Sequence, residues 1–183
     1  AQGLVENVQI LSSNLVSNSD FSQEGSELIL NGDFSSDTDW ALTTNINISN
    51  GKLNFVNAVS NTDYANQGIV APIGKNYKIT LDVSNLGSGQ SIKVRFPFQY
   101  TNINSNGTHT IYGVSSTANV FRITPNSPTA TFSIDNVSVK EVGQDWALGT
   151  GWSIGDGVVI NDGTSGSSDS LIYTAGFPTV STK

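Results

Sequence analysis

The sequence has 183 residues, with no cysteine, no methionine, one histidine and five prolines. Without cysteine there is no thiol nucleophile, no thiolate metal site and no disulfide, so the fold must hold by burial and hydrogen bonding alone. The single His109, in "NGTHTIYG", lacks the neighbours of a Ser-His-Asp arrangement, which needs an oriented imidazole beside an activated hydroxyl. It reads as a strand-edge histidine facing solvent or a neighbouring Thr. Charge is scarce as well: 13% of residues are charged, and the net charge is −7. The eight Lys and Arg are scattered singly, which argues against nucleic acid or an anionic membrane as partner. No apolar run approaches the roughly 18 residues of a membrane-crossing helix. Glycine-rich pieces such as "GSGQS" lack the Lys and the strand-to-helix setting of a phosphate loop. Glu6, Glu24, Glu27 and Glu141 lie outside the expected core, so paired-carboxylate glycoside chemistry has no anchor. These absences together exclude an enzyme from the reading.

What remains is a chain made polar by Asn, Ser, Thr and Gly, with Val, Ile, Thr, Tyr and Phe between turn signals. Such residues suit strands and tight turns better than helices. Period-two alternation is plain in "YKITLDVS", where Tyr77, Ile79, Leu81 and Val83 share a face. In "SIKVRFPFQY" the same rule turns Ile92, Val94, Phe96, Phe98 and Tyr100 inward and Lys93 and Arg95 outward. "ELILNG", "GKLNFVN", "THTIYGV", "NVFRITP" and "ATFSIDNVSVK" complete the strand set. The last of these changes phase, from Ala130, Phe132 and Ile134 to Val137 and Val139, which predicts a β-bulge at Asp135-Asn136. The expected fold is all-β, an antiparallel sandwich.

Two internal repeats organise the chain. "DTDWALTTNINISNGKL" (residues 37–53) aligns without a gap on "GQDWALGTGWSIGDGVV" (143–159) at an offset of 106 residues. Trp40 falls on Trp146, Ile48 on Ile154, Gly51 on Gly157, Asp63 on Asp169 and Pro72 on Pro178. A shorter echo sets "NLVSNSDFS" (14–22) against "ELILNGDFS" (27–35) at an offset of 13. Residues 28–142 are therefore expected to form a sandwich, and 143–183 the start of a second one. Residues 1–27 are either the tail of a preceding unit or a linking arm. Lys183 falls on Tyr77, before the main sheet of the second copy. A segment of about 40 residues cannot bury enough apolar surface to fold alone. The sequence thus predicts a second module that is cut short, or one completed by strands of another chain. Trp40 and Trp146, repeated at one structural position, are expected to close the end of a sandwich or to pack at a junction.

For binding, the aromatic and polar side chains around the middle strands stand out. Tyr100 and Tyr112, with Arg95 and Asn102, combine ring faces for sugar C–H patches with groups that bond hydroxyls. The inward phase of Tyr100 suits a ring at the rim of the core better than one that meets a ligand.

"LILNGDFSSDTDW", followed about 100 residues later by "FSIDNVSVKEV", resembles the jelly-roll carbohydrate-binding modules of extracellular glycosidases. In that family an N-G-D/N-F strand opens the domain and an I-D-[DN]-V-x-[VL] strand closes it. The wording over residues 27–183 is closer still to tandem modules of phage tail fibres and other virion-surface proteins. The resemblance implies a jelly roll, and a structural calcium between the first and last strands. Carried over, that ion would use Asp135 and Asp33, while Ser35 stands where the family commonly has Glu. It further implies a non-enzymatic structural or adhesion module at a virion surface or outside the cell. Its partners would be further copies of the chain and other virion proteins. Two alternatives stay open: a polysaccharide-binding module of a secreted enzyme or adhesin, and a self-assembling filament or surface-layer subunit.

Overall fold

In a computed structural model, residues 16–96, 100–115 and 120–176 are described. In chain order the strands are β1 (Glu24–Glu27), β2 (Ala41–Leu42), β3 (Ile46–Ser49), β4 (Lys52–Val59), β5 (Ala65–Gly68), β6 (Asn76–Ser84), β7 (Ile92–Arg95) and β8 (Tyr100–Ile103). Then follow β9 (Gly107–Val114), β10 (Val120–Pro125), β11 (Thr129–Val142), β12 (Trp146–Leu148), β13 (Trp152–Gly155), β14 (Val158–Asn161) and β15 (Leu171–Tyr173). All pairings are antiparallel. One sheet runs β3-β4-β11-β6-β9, with β1 also on β11; the other runs β2-β5-β10-β7-β8. The molecule is an all-β sandwich of two antiparallel sheets, with two small hairpin-like sheets, β12-β15 and β13-β14, beside it.

The alternation read from the sequence fills the space between the sheets. Tyr77, Ile79, Leu81 and Val83 of β6 are all buried, as are Ile92, Val94 and Phe96, and Phe132, Ile134, Val137 and Val139 of β11. Phe55 and Phe132 stack with ring centroids 4.2 Å apart, and Tyr77 meets Phe96 edge-on at 5.0 Å. Burial, reinforced by the Glu141 charge, pushes the Tyr77 hydroxyl up to about 12. Trp40 is buried between Phe34 and Phe121 and closes that end of the sandwich.

The bulge is where the phase change put it: the β11–β6 register shifts between Asp135 and Ser138, with Asn136 in the left-handed region at φ 50°. Val137 N–H leaves the ladder and donates to Gly32 O (2.9 Å). Any Cβ at residue 32 would collide with the Val137 carbonyl oxygen, so the glycine of the Asn-Gly-Asp-Phe motif answers to a close approach of backbones. β4 pairs the first half of β11 and β1 the last, so two strands share one edge on either side of the bulge. The strand expected at "ELILNG" is displaced: β1 ends at Glu27, Leu28 N–H still donates to Val139 O of β11 (2.9 Å), and the chain then leaves the ladder. Instead the Gln67 side chain brackets Leu30, accepting from its N–H (2.8 Å) and donating to its carbonyl (2.9 Å).

The 106-residue offset holds in three dimensions. Ala41↔Asn66 and Leu42↔Ala65 of β2–β5 recur as Ala147↔Ile172 and Leu148↔Leu171 of β12–β15. Ile46↔Phe55 and Ile48↔Leu53 recur as Trp152↔Asn161 and Ile154↔Val159. The motif that ought to precede Trp146 cannot come from residues 137–140, because they lie in β11. Asn18–Phe21 stands there instead. Trp146 Nε1 donates to Asn18 O (3.1 Å) as Trp40 Nε1 does to Asn31 O (3.2 Å). Phe21 packs on Trp146 at 5.1 Å as Phe34 packs on Trp40 at 5.3 Å. Thus residues 16–22, read from sequence as a tail or an arm, pack against residues 143–176 from 128 positions upstream, with the whole sandwich in between.

Candidate functional site

Strand alternation gives the five-stranded sheet an outward face as well as a core face. In "IKVR" the apolar residues turn inward and expose Lys93 and Arg95; in "VFRITP" Phe121 and Ile123 are buried and Arg122 faces out. Residues directly opposite in a ladder share a face, so register assembles the surface. One row runs Asn66, Arg122, Arg95, Tyr100 across β5, β10, β7 and β8, and the next runs Thr124, Lys93, Asn102. Tyr64, just before β5, walls the other end. Between Tyr64 and Tyr100 lies an open groove of about 180 Å³ lined by Asn61, Lys93, Arg122, Thr124 and Pro125.

The end at Tyr64 is held by a buried carboxylate. Asp63 accepts from Val59 N–H (2.7 Å), Asn45 Nδ2 (2.8 Å) and Thr43 Oγ1 (2.9 Å). The Val59 N–H, followed by the Asn45 amide, holds the Asp63 carboxyl below the usual carboxylate range despite its burial. Thr43 Oγ1 also accepts from Tyr64 N–H (3.0 Å), and Thr124 Oγ1 donates to Asp63 O (2.8 Å). The Arg122 guanidinium lies 4.2 Å from the Tyr64 ring centroid, and Lys93 and Arg95 lie 5.8 and 5.7 Å from that of Tyr100. Asn66 Oδ1 and Arg122 Nε are enclosed without a hydrogen-bond partner among the described residues.

Arg95, Tyr100 and Asn102 from the sequence reading therefore come together on this face. Tyr100 does not point inward as its phase predicts. The chain reverses between β7 and β8, setting Tyr100 opposite Arg95 on the outer surface with 48% exposure. Phe98 lies outside the described residues. Tyr112 belongs elsewhere: it sits on β9 of the other sheet, and its hydroxyl donates to Asp156 Oδ1 (2.8 Å) and accepts from Asp156 N–H (3.0 Å). Gly155 covers its ring, so Tyr112 is a fastening to residues 143–176. Tyr64, Arg122, Lys93 and Asn66 were not among the residues that sequence reasoning chose. Alternation does turn Lys93 and Arg122 outward, but no period says which strands become neighbours.

The carboxylates nominated for calcium have local duties. Asp33 Oδ1 accepts from Ser35 N–H (3.3 Å) and Ser35 Oγ (3.0 Å), and Asp135 Oδ1 accepts from Asn136 N–H (2.8 Å). Among the described residues no three His, Asp or Glu side chains gather to hold a metal ion. Calcium asks for about six to eight oxygen ligands, backbone carbonyls and waters included, and two carboxylates are only part of such a set.

No family model matches the chain, and no curated protein matches it. Solved structures do resemble it. The CBM22-1 xylan-binding domain of Paenibacillus barcinonensis Xyn10C is 12% identical, covering 66% of this chain and 97% of that one, with a TM-score of 0.47. The CBM22-1–GH10 modules of Clostridium thermocellum xylanase 10B, complexed with xylohexaose, are 15% identical over 64% of this chain, at a TM-score of 0.44. This chain spans 28% of that structure. The enzymatically active domain of bacteriophage CBA120 tailspike protein 4 is 16% identical, covering 63% of this chain and 21% of that one, at a TM-score of 0.44. These are likenesses of fold.

Proposed function

We propose that the protein is a non-enzymatic glycan-binding adhesion module, and that polysaccharide lies along the groove across β5, β10, β7 and β8. The observation that carries this is the outward row bounded by Tyr64 and Tyr100. With neighbouring strands about 4.8 Å apart, three strand steps separate its ends by about 14 Å, room for a short oligosaccharide. Ring edges and faces meet sugar C–H surfaces, while Asn61, Asn102 and the cationic side chains meet hydroxyls. Glycoside hydrolysis needs two carboxylates flanking the scissile bond. Among the described residues that line this groove there is none. The setting we favour is a virion or other extracellular surface. Support comes from the resemblance of the bracketing motifs to tandem fibre modules, and from copies that follow each other in one register without a linker. Assembly with further copies of the chain belongs to that setting.

The test is affinity electrophoresis against a panel of plant and bacterial polysaccharides. At least one glycan should retard the protein, and Tyr64→Ala or Tyr100→Ala should weaken that binding about tenfold or more. Tyr112→Ala, on the opposite sheet, should leave it unchanged. Loss with Tyr112→Ala but not with the other two would move the site to the other sheet.

A further inference from the structure

The few cations of this acidic chain are unevenly placed. The strands of the six-stranded sheet carry Lys52, Lys78 and Lys140 together with Glu24, Glu27, Asp82, Asp135 and Glu141. Lys78 and Lys140 share Glu24, at 2.7 and 2.9 Å. The strands of the five-stranded sheet carry Lys93, Arg95 and Arg122 and no Asp or Glu at all. None of these three makes an ion pair among the described residues. Arg95 and Arg122 stand directly opposite each other in the β7–β10 ladder. Like charges in that position repel and lower the stability of the pair. The cations are held over the Tyr64 and Tyr100 rings, contacts that steady them without neutralising them. Arg122 Nε, enclosed and unpartnered, adds an unmet donor on the same face.

Resting on the glycan-binding reading of this groove, we infer that its ligand is an acidic polysaccharide, one whose carboxylate or sulfate groups meet Arg95 and Arg122. Residues directly opposite in a ladder have Cβ atoms about 5 Å apart, and the two guanidinium groups lean toward Tyr64 and Tyr100, so successive anionic groups of a chain laid along the row meet one fork and then the other. Each fork presents parallel N–H donors matched to such an anion. Lys93, in the next row and beside Tyr100, adds charge for a neighbouring sugar. A bound anion offsets the repulsion between the two guanidinium groups.

Binding is measured for polygalacturonate, dextran sulfate, neutral xylan and double-stranded DNA, at low and high salt. Polygalacturonate or dextran sulfate should bind at least about tenfold more tightly than xylan, and should weaken as salt rises. The two acidic probes distinguish carboxylate from sulfate. Arg95→Gln and Arg122→Gln should each abolish the preference for the acidic glycan with an unchanged or raised Tm, because the like-charge pair is gone. Arg122→Lys, which keeps the charge but loses the fork, should fall between. Lys52→Gln, on the other sheet, should change nothing. Equal binding of xylan, unmoved by either Arg→Gln change, overturns the acidic ligand and leaves the glycan reading standing. Binding of no glycan overturns both. DNA binding as tight as the best glycan also overturns it, since the face would then be a general polyanion surface.

Discussion

The two tryptophan-centred corners of this protein are copies that differ in completeness. At Trp40 the Asn31 side chain is fully employed: Oδ1 accepts from Ser36 N–H, and Nδ2 donates to the carbonyls of Ser36 (2.8 Å) and Thr38 (3.0 Å). At Trp146 the matching Asn18 Oδ1 accepts from Gln23 N–H (2.9 Å), but its Nδ2 is enclosed without a partner among the described residues. Both motifs force an Asn and a Phe into the left-handed region, at φ 50° and 50° in one and 49° and 54° in the other. The N–H half of the bracket on the preceding residue recurs, with Gln67 accepting from Leu30 N–H and the Tyr173 hydroxyl from Ser17 N–H (3.0 Å). The instructive difference is one residue. Gly32 stands where the β11 backbone presses close, and Ser19 stands at the matching, exposed place. The strained turn belongs to the motif itself. The glycine belongs to the strand that closes over it.

Substitutions at matching positions should separate the corners. Trp40→Ala empties a site between Phe34 and Phe121 and should cost about 3–5 kcal/mol, seen as a lower Tm of the main thermal transition. Trp146→Ala should leave that transition in place and open residues 16–22 and 143–176 to protease. An equal loss of Tm in both variants would mean that the corners unfold as one. Next in size, Gly32→Ser installs the residue its twin carries and should cost about 2–3 kcal/mol through the clash with Val137. Ser19→Gly should stay within about 0.5 kcal/mol; comparable effects would sink the account of the close approach.

The smallest contrast is in acid. Asp63 and its match Asp169 are both held below the usual carboxylate range, Asp63 chiefly by Val59 N–H and Asp169 chiefly by Gly166 N–H. A depressed folded value means that the unfolded chain binds protons first. The stabilisation is complete above the unfolded value of about 3.9 and is lost as pH falls through the lower folded value. Asp63→Asn should therefore flatten the fall of Tm below about pH 4 and cost about 1–3 kcal/mol at neutral pH. Asp169→Asn should alter protection of residues 143–176 alone, read by hydrogen exchange.

Much of the sandwich was legible, because buried strands announce themselves by period. Tyr77–Val83, Ile92–Phe96 and the slip at Asp135-Asn136 needed only the alternation of apolar side chains. The groove was only half legible. Arg95, Tyr100 and Asn102 were chosen for their chemistry, yet Arg122 and Tyr64 join them through ladders between strands distant in sequence. Eight cations scattered singly looked like the absence of a basic patch; register gathered three of them on one sheet. That Tyr112 stands apart from the other three was not legible, because nothing in "THTIYGV" tells that Asp156 and Gly155 return to cover it. The offset of 13 was visible in the sequence, but its meaning required seeing Asn18 against Trp146.

That contact also has a mechanical side. Ser17, Asn18 and Phe21 on one strand of the chain grip Asp145, Trp146 and Tyr173 on the other, closing a loop around the sandwich. Tension applied between the segments before residue 17 and after residue 173 runs across this grip and bypasses both large sheets. The grip must part before β5, β10, β7 or β8 feels any load, so the corner at Trp146 acts as a fuse. Under such tension it would yield first, while the sheet bearing Tyr64 and Tyr100 would keep its shape.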